Sequence, residues 1–151
     1  MILRVLRVLI GLAVACLAAG FTIVLFIYSP LELVEAEGKA AEAGLLALAA
    51  ATHMAIFAAP LALIAAAIGE WFRLGSWLYY ALAGIAVAAI GFLAQYATEA
   101  PGEASIANLY ALKAFLATGL VAGTVYWLLS GRRARAHARD RRQEEISERA
   151  A

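Results

Sequence analysis

One cysteine, three prolines, two histidines and two lysines in 151 residues leave little room for several kinds of chemistry. Cys16, being alone, excludes an intrachain disulfide and any multi-cysteine metal or redox centre. Charge is scarce too: Asp, Glu, Lys and Arg together make up 15% of the chain against 65% hydrophobic residues, far from the composition of soluble domains. The net charge of +1 gives no footing for nucleic acid, and none is expected as a partner.

The apolar residues are not dispersed. They fall into four blocks, at about 8–28, 45–68, 77–97 and 108–129, each long enough to cross the roughly 30 Å hydrocarbon layer of a bilayer. The expected fold is all-α: a four-helix membrane bundle over residues 1–131, followed by a charged tail at 132–151. Arg4 and Arg7 ahead of the first block also fit a signal peptide. Its length argues against that, because a signal core runs to roughly 7–15 apolar residues.

The connections carry their own signals. Ser29-Pro30-Leu31-Glu32 has the order of a capping residue, a first-turn proline and a third-position carboxylate, so a short helix is expected to begin there. With Glu35, Glu37 and Glu42 against Lys39, the stretch to Gly44 predicts an acidic interfacial helix, with Glu35 and Lys39 spaced to pair. Gly69 to Ser76 has the look of a tight interfacial turn, and Trp71, Phe72 and Trp77 of an aromatic belt. Pro60 removes a backbone donor inside the second block and frees the carbonyl of Ile56; a kink or break is expected there.

Positive residues set the orientation. Arg4, Arg7, Arg73 and seven arginines from Arg132 to Arg149 fall on one side of the four-span arrangement, and only Lys39 and Lys113 lie toward the other. Lys and Arg are retained on the cytoplasmic side, so both termini are expected in the cytoplasm. The preference for Arg over Lys and the abundance of Ala suggest a GC-rich bacterial genome, hence a multi-pass protein of the bacterial inner membrane. Arg132, Arg133, Arg135, Arg139, Arg141 and Arg142, opposed only by Asp140, form a juxtamembrane cluster. It serves as a positive anchor and is expected to contact anionic lipid, at about 1 kcal/mol per basic residue near the surface.

Three polar residues fall inside the blocks. Lys113 lies about 10 Å within the fourth block, and His53 about 12 Å within the second, at 1.5 Å per residue. Gln95, with Tyr96 beside it, ends the third block on the same side. Together His53, Gln95 and Lys113 make a candidate polar site in the outer leaflet, since ionisable groups at such depth mark function. The plainer alternative is that Lys113 reaches outward to Glu99, Glu103 or lipid phosphate along its apolar stem, while His53 and Gln95 make interhelical hydrogen bonds.

No cofactor is implied: a bis-histidine haem needs two axial ligands, and only His53 is intramembrane. The first block holds no carboxylate of the kind small multidrug exporters use there, and one cysteine cannot supply the pair a thiol oxidase needs. With no acid pair, histidine pair or nucleophile–base motif, an enzyme is not expected. The leading expectation is an accessory or assembly subunit of a membrane complex. The alternative is a small oligomeric transporter or channel that uses His53, Lys113 and the Pro60 break. Gly119 and Gly123 in the fourth block, and Gly11, Ala15 and Ala19 in the first, are spaced for close helix packing, within the chain sooner than between copies.

The division of ten positive residues from two makes a topology test direct. Reporter fusions after residues 38 and 102 are expected to behave as periplasmic, and those after 74 and 140 as cytoplasmic. An external junction at 74 would mean that one of its flanking blocks does not span.

Overall fold

In a computed structural model of the chain, residues 2–28, 38–72, 74–99 and 105–131 are described. These residues are helical apart from their connections, with no strand among them. The helices are α1 (Ile2–Ile27), α2 (Lys39–Trp71), α3 (Trp77–Ala97) and α4 (Leu109–Tyr126), the last continued by a π-helical turn, Trp127–Gly131. All four are long and apolar enough to cross a membrane.

Two helices begin earlier than hydrophobicity alone predicts. α1 starts at Ile2, so Arg4 and Arg7 belong to its first two turns. α2 starts at Lys39, after Gly38 in a left-handed conformation (φ 87°). The residues up to Gly44 are therefore the first turns of α2 and not part of a separate acidic helix. The cause is local: Ala40, Ala41 and Ala43 favour helix, and the turn is anchored because Ala43 and Ala47 are buried against Val24 of α1. The predicted cap at Ser29–Glu32 and the Glu35 partner of Lys39 lie outside the described residues.

α2 does not end at Pro60. It runs as a continuous 33-residue helix through that position, and a break there is not what the backbone does. Thr52 donates to the carbonyl of Leu48 at 2.8 Å, so its hydroxyl is committed a full turn before the carbonyl that Pro60 leaves free. At the start of α4, Asn108 is the cap and not the first helical residue: its side-chain oxygen accepts from the amide of Ala111 at 2.7 Å.

The helices form an antiparallel ring. α1 packs along α2 and α4, α3 packs along α4, and α2 meets α3 more lightly. Specific bonds fix which ends coincide. Tyr110 at the start of α4 donates to the carbonyl of Phe26 at the end of α1, while Ser130 donates across to the carbonyl of Arg7 at 3.4 Å. The α2–α3 turn lies at that second end, where Trp127 Nε1 donates to the carbonyl of Gly75 at 3.1 Å. The Arg7 end of α1, the turn that contains Arg73, and the point where the chain continues into Arg132 therefore share one end of the bundle.

Two seams hold the ring together, and both depend on missing side chains. Along α3 and α4, a methyl group added at Gly84 would overlap the carbonyl of Gly119, one at Gly119 the carbonyl of Gly84, and one at Gly123 the carbonyl of Tyr80. Along α1 and α2, a methyl at Gly20 would overlap the carbonyl of Ala47. The stripe of Gly119 and Gly123 is thus spent inside the chain. Near the turn, Ala15, Ala66, Tyr80 and Tyr126 form a buried cluster, with Tyr80 and Tyr126 rings 5.4 Å apart and Tyr79 donating to the carbonyl of Ala65 at 2.7 Å. This corner joins α2 to α3. Trp71 and Phe72 stand exposed at the same end, as a belt requires, whereas Trp77 is partly drawn in and donates to Thr124 at 3.2 Å.

The seams can be tested by contrast within one helix. Gly84→Ala should destabilise the bundle by about 1–3 kcal/mol, the usual cost of overpacking. Gly91→Ala, whose added methyl meets nothing within 4 Å, should be neutral or stabilising by up to about 1 kcal/mol. Thermal unfolding in detergent measures both, and equal effects would show that α3 does not rest on Gly84.

Candidate functional site

The three polar residues singled out by sequence occupy three helices, and each is exposed on its own helix: His53 on α2, Gln95 on α3 and Lys113 on α4. No hydrogen bond or ring contact joins any two of them. Nor do they share a depth. Gly20 of α1 lies against Ala47 and Ala51 of α2, and Tyr110 bonds to Phe26, so α1 can serve as a ruler. By that register His53 is level with about Cys16, roughly 15 Å below Phe26, while Lys113 is about 5 Å below it at 1.5 Å per residue. The difference follows from the register of α2 on α1, which sets Ala47 and Ala51 against Gly20 and so places His53 well along α1 from Phe26.

Lys113 sits about 6 Å from the beginning of α4, where an exposed stem can carry its ammonium to the interface. Glu99, one of its expected partners, is engaged elsewhere. Its carboxylate accepts from the hydroxyl of Ser105 at 2.8 Å and from the amide of Ile106, which ties the end of α3 to the approach to α4. Glu103 lies outside the described residues, as do the six arginines from Arg132 to Arg142. Gln95 is exposed near the end of α3, and its backbone carbonyl accepts from the hydroxyl of Thr98 at 2.9 Å.

Around His53 the surface has shape. Leu45, Leu48, Ala49, Thr52, His53 and Ile56, all on α2, line a shallow open recess of about 480 Å³. Their spacing of three and four residues places them on one face, with the small Ala49 between larger neighbours. Leu45 and Ile56 are 70% and 72% exposed, so this face is turned away from the bundle. The imidazole lies beside the Phe57 ring one turn along, tilted by 38° with ring centres 5.8 Å apart. The sequence contains the signal for this surface, since Leu45, Ala49, Thr52 and Ile56 recur at helical spacing. An apolar stripe in a membrane helix does not by itself tell an inward face from an outward one.

The inward faces are built mainly from small residues, among them Ala15, Ala19, Ala51, Ala66, Ala81 and Ala114. Thr118 is also buried, and its hydroxyl has no hydrogen-bond partner, in contrast to Thr22, which donates to the carbonyl of Ala18 at 2.7 Å. Among the described residues no group of three or more His, Cys, Asp or Glu could hold a metal ion.

The described residues are helical apart from their connections and include four helices long and apolar enough to cross a membrane, which places the chain in the class of multi-pass membrane proteins. Comparison with protein-family models, with curated proteins and with solved structures finds no match to the chain.

The separation of His53 from Lys113 has a measurable consequence. In a cycle of His53→Leu and Lys113→Met read by thermal stability in detergent, the two effects should add to within about 0.5 kcal/mol, as they do for sites without shared partners. A coupling above about 1 kcal/mol would bring the two residues back into one cluster.

Proposed function

We propose that this chain is a non-enzymatic accessory or assembly subunit of a membrane complex. It would lie in a bacterial inner membrane with both termini cytoplasmic and with Arg132, Arg133, Arg135, Arg139, Arg141 and Arg142 on anionic head groups. The observation that carries the reading is the outward exposure of His53, Gln95 and Lys113. A transport path within one chain needs its polar groups turned toward that chain's interior, whereas a subunit that binds other membrane proteins presents them on its outer surface. Intramembrane hydrogen bonds between helices give such contacts their specificity. The gathering of Arg7, the α2–α3 turn and the Gly131 exit at one end supports termini on a common side, and the concentration of arginine in the segments at that end supports the cytoplasmic side.

The test is what accompanies the chain when it is extracted from its native membrane in mild detergent. A different membrane protein is expected in fixed stoichiometry. Recovery of this chain without any other, together with solute flux in proteoliposomes that depends on His53 and Lys113, would overturn the subunit reading in favour of a transporter.

A further inference from the structure

α2 presents to the bilayer one group that the bilayer cannot serve. The charged first turn of α2 reaches the interface, and His53 lies 8 residues beyond Leu45, where the apolar block begins, and 18 residues before Trp71 at the other end of the helix, or about 12 and 27 Å along its axis. An imidazole cannot span such a distance to reach a head group, as the longer stem of Lys113 can near its helix end. Among the described residues its ring nitrogens have no hydrogen-bond partner, and its ring lies beside that of Phe57. Acyl chains neither donate nor accept, so a polar group held among them needs a protein partner at its own depth.

The recess around it specifies what that partner carries. Thr52, adjacent to His53 and exposed, donates its hydroxyl proton to the carbonyl of Leu48. Its oxygen keeps lone pairs free to accept. An imidazole offers a ring N–H as donor and a bare ring nitrogen as acceptor. The same face therefore carries both halves of a hydrogen bond at one depth. A two-fold axis along the membrane normal brings each residue opposite its own copy at equal depth, and a face that holds donor and acceptor side by side is self-complementary under that operation. Ala49, one turn from His53 and flanked by Leu45 and Leu48, provides the notch that lets a second helix approach closely.

We propose that two copies of this chain associate side by side through α2. The recess at Ala49 of each copy receives the helix of the other, and His53 of each bonds to Thr52 or His53 of the other. The inference rests on the reading that the outward polar residues meet protein. It leaves the exposed surfaces of α3 and α4, with Gln95 and Lys113, for a different subunit.

The experiment uses the full chain in its membrane, with Cys16→Ala as the parent and single cysteines introduced by Ala49→Cys, Ile56→Cys or, as a control on α3, Leu93→Cys. Mild oxidation should give a covalent dimer from the first two and none from the third. Adding His53→Leu to Ala49→Cys should lower the association constant about tenfold, the loss of two intramembrane hydrogen bonds of ordinary strength. Unaltered chains bearing two different tags, expressed together and extracted in mild detergent, should be recovered together, and the same chains mixed only after extraction should not. Co-recovery is unaffected by any folding defect in the cysteine variants. An adduct between Ala49→Cys and a protein of another mass would overturn the second copy as occupant while leaving the subunit reading intact. Absence of both adduct and co-recovery, with a heterologous membrane protein still bound, would do the same. Absence of all three would overturn both readings.

Discussion

Close approach of helix backbones is the interaction on which this bundle depends. In a bilayer the side chains gain little by leaving lipid for protein, because both surroundings are apolar, and association rests on packing and on hydrogen bonds between helices. Gly84, Gly119 and Gly123 allow α3 and α4 to meet backbone against backbone, and Gly20 does the same for α1 against Ala47 of α2. Large side chains are correspondingly rare in the interior. Val24 is the one large side chain buried almost completely among the described residues, and most buried positions are Ala. Most of the exposed large side chains are leucine, isoleucine and phenylalanine on the outer surfaces of the helices.

From those seams follows the asymmetry of the ring. α1 and α4 each have two close neighbours, whereas α2 and α3 each have one close neighbour and meet one another lightly. Their corner is held by Tyr79, Tyr80 and Tyr126 near the short turn. α2, the longest helix, consequently keeps most of its surface outside the bundle, with a polar pair at its middle. A polar group left unsatisfied in hydrocarbon is costly, and among the described residues none satisfies His53.

The end of the bundle that gathers the arginine-bearing segments is also where hydroxyl and indole groups tie the helices together. Ser130 lies in a π-helical turn, and a methyl at Gly11 would come within 2.5 Å of its oxygen. A π turn rotates the residues beyond it relative to a regular helix, and here it carries Ser130 onto α1, where its hydroxyl reaches the carbonyl of Arg7. The same turn aims Trp127 at Gly75. The start of α1, the end of α4 and the α2–α3 connection are thereby bound into one structure at one end of the bundle.

The number of helices, their approximate spans and the role of Gly119 and Gly123 were legible in the chain, because lipid imposes a length and an apolar composition that a one-dimensional pattern records. The start of α2 was not. Charged residues such as Lys39 and Glu42 end a hydrophobic block, yet a helix can continue through them into the interface wherever alanines and one packed face support it. Pro60 was visible as a residue, but whether a helix ends at a proline depends on what its neighbours supply. The outer-leaflet cluster of His53, Gln95 and Lys113 was a statement about depth alone. Rotation of each side chain about its helix, and the offset of one helix along another, arise from contacts such as Gly20 with Ala47 and Tyr110 with Phe26 that join residues far apart in sequence. Composition and charge determined that the chain has four helices long and apolar enough to cross a membrane, with arginine concentrated at the start of α1, between α2 and α3 and beyond Gly131. Tertiary packing alone decided that His53, Gln95 and Lys113 face outward while Thr118 is turned in, because only the fit of small residues across the seams selects which side of each helix is turned in.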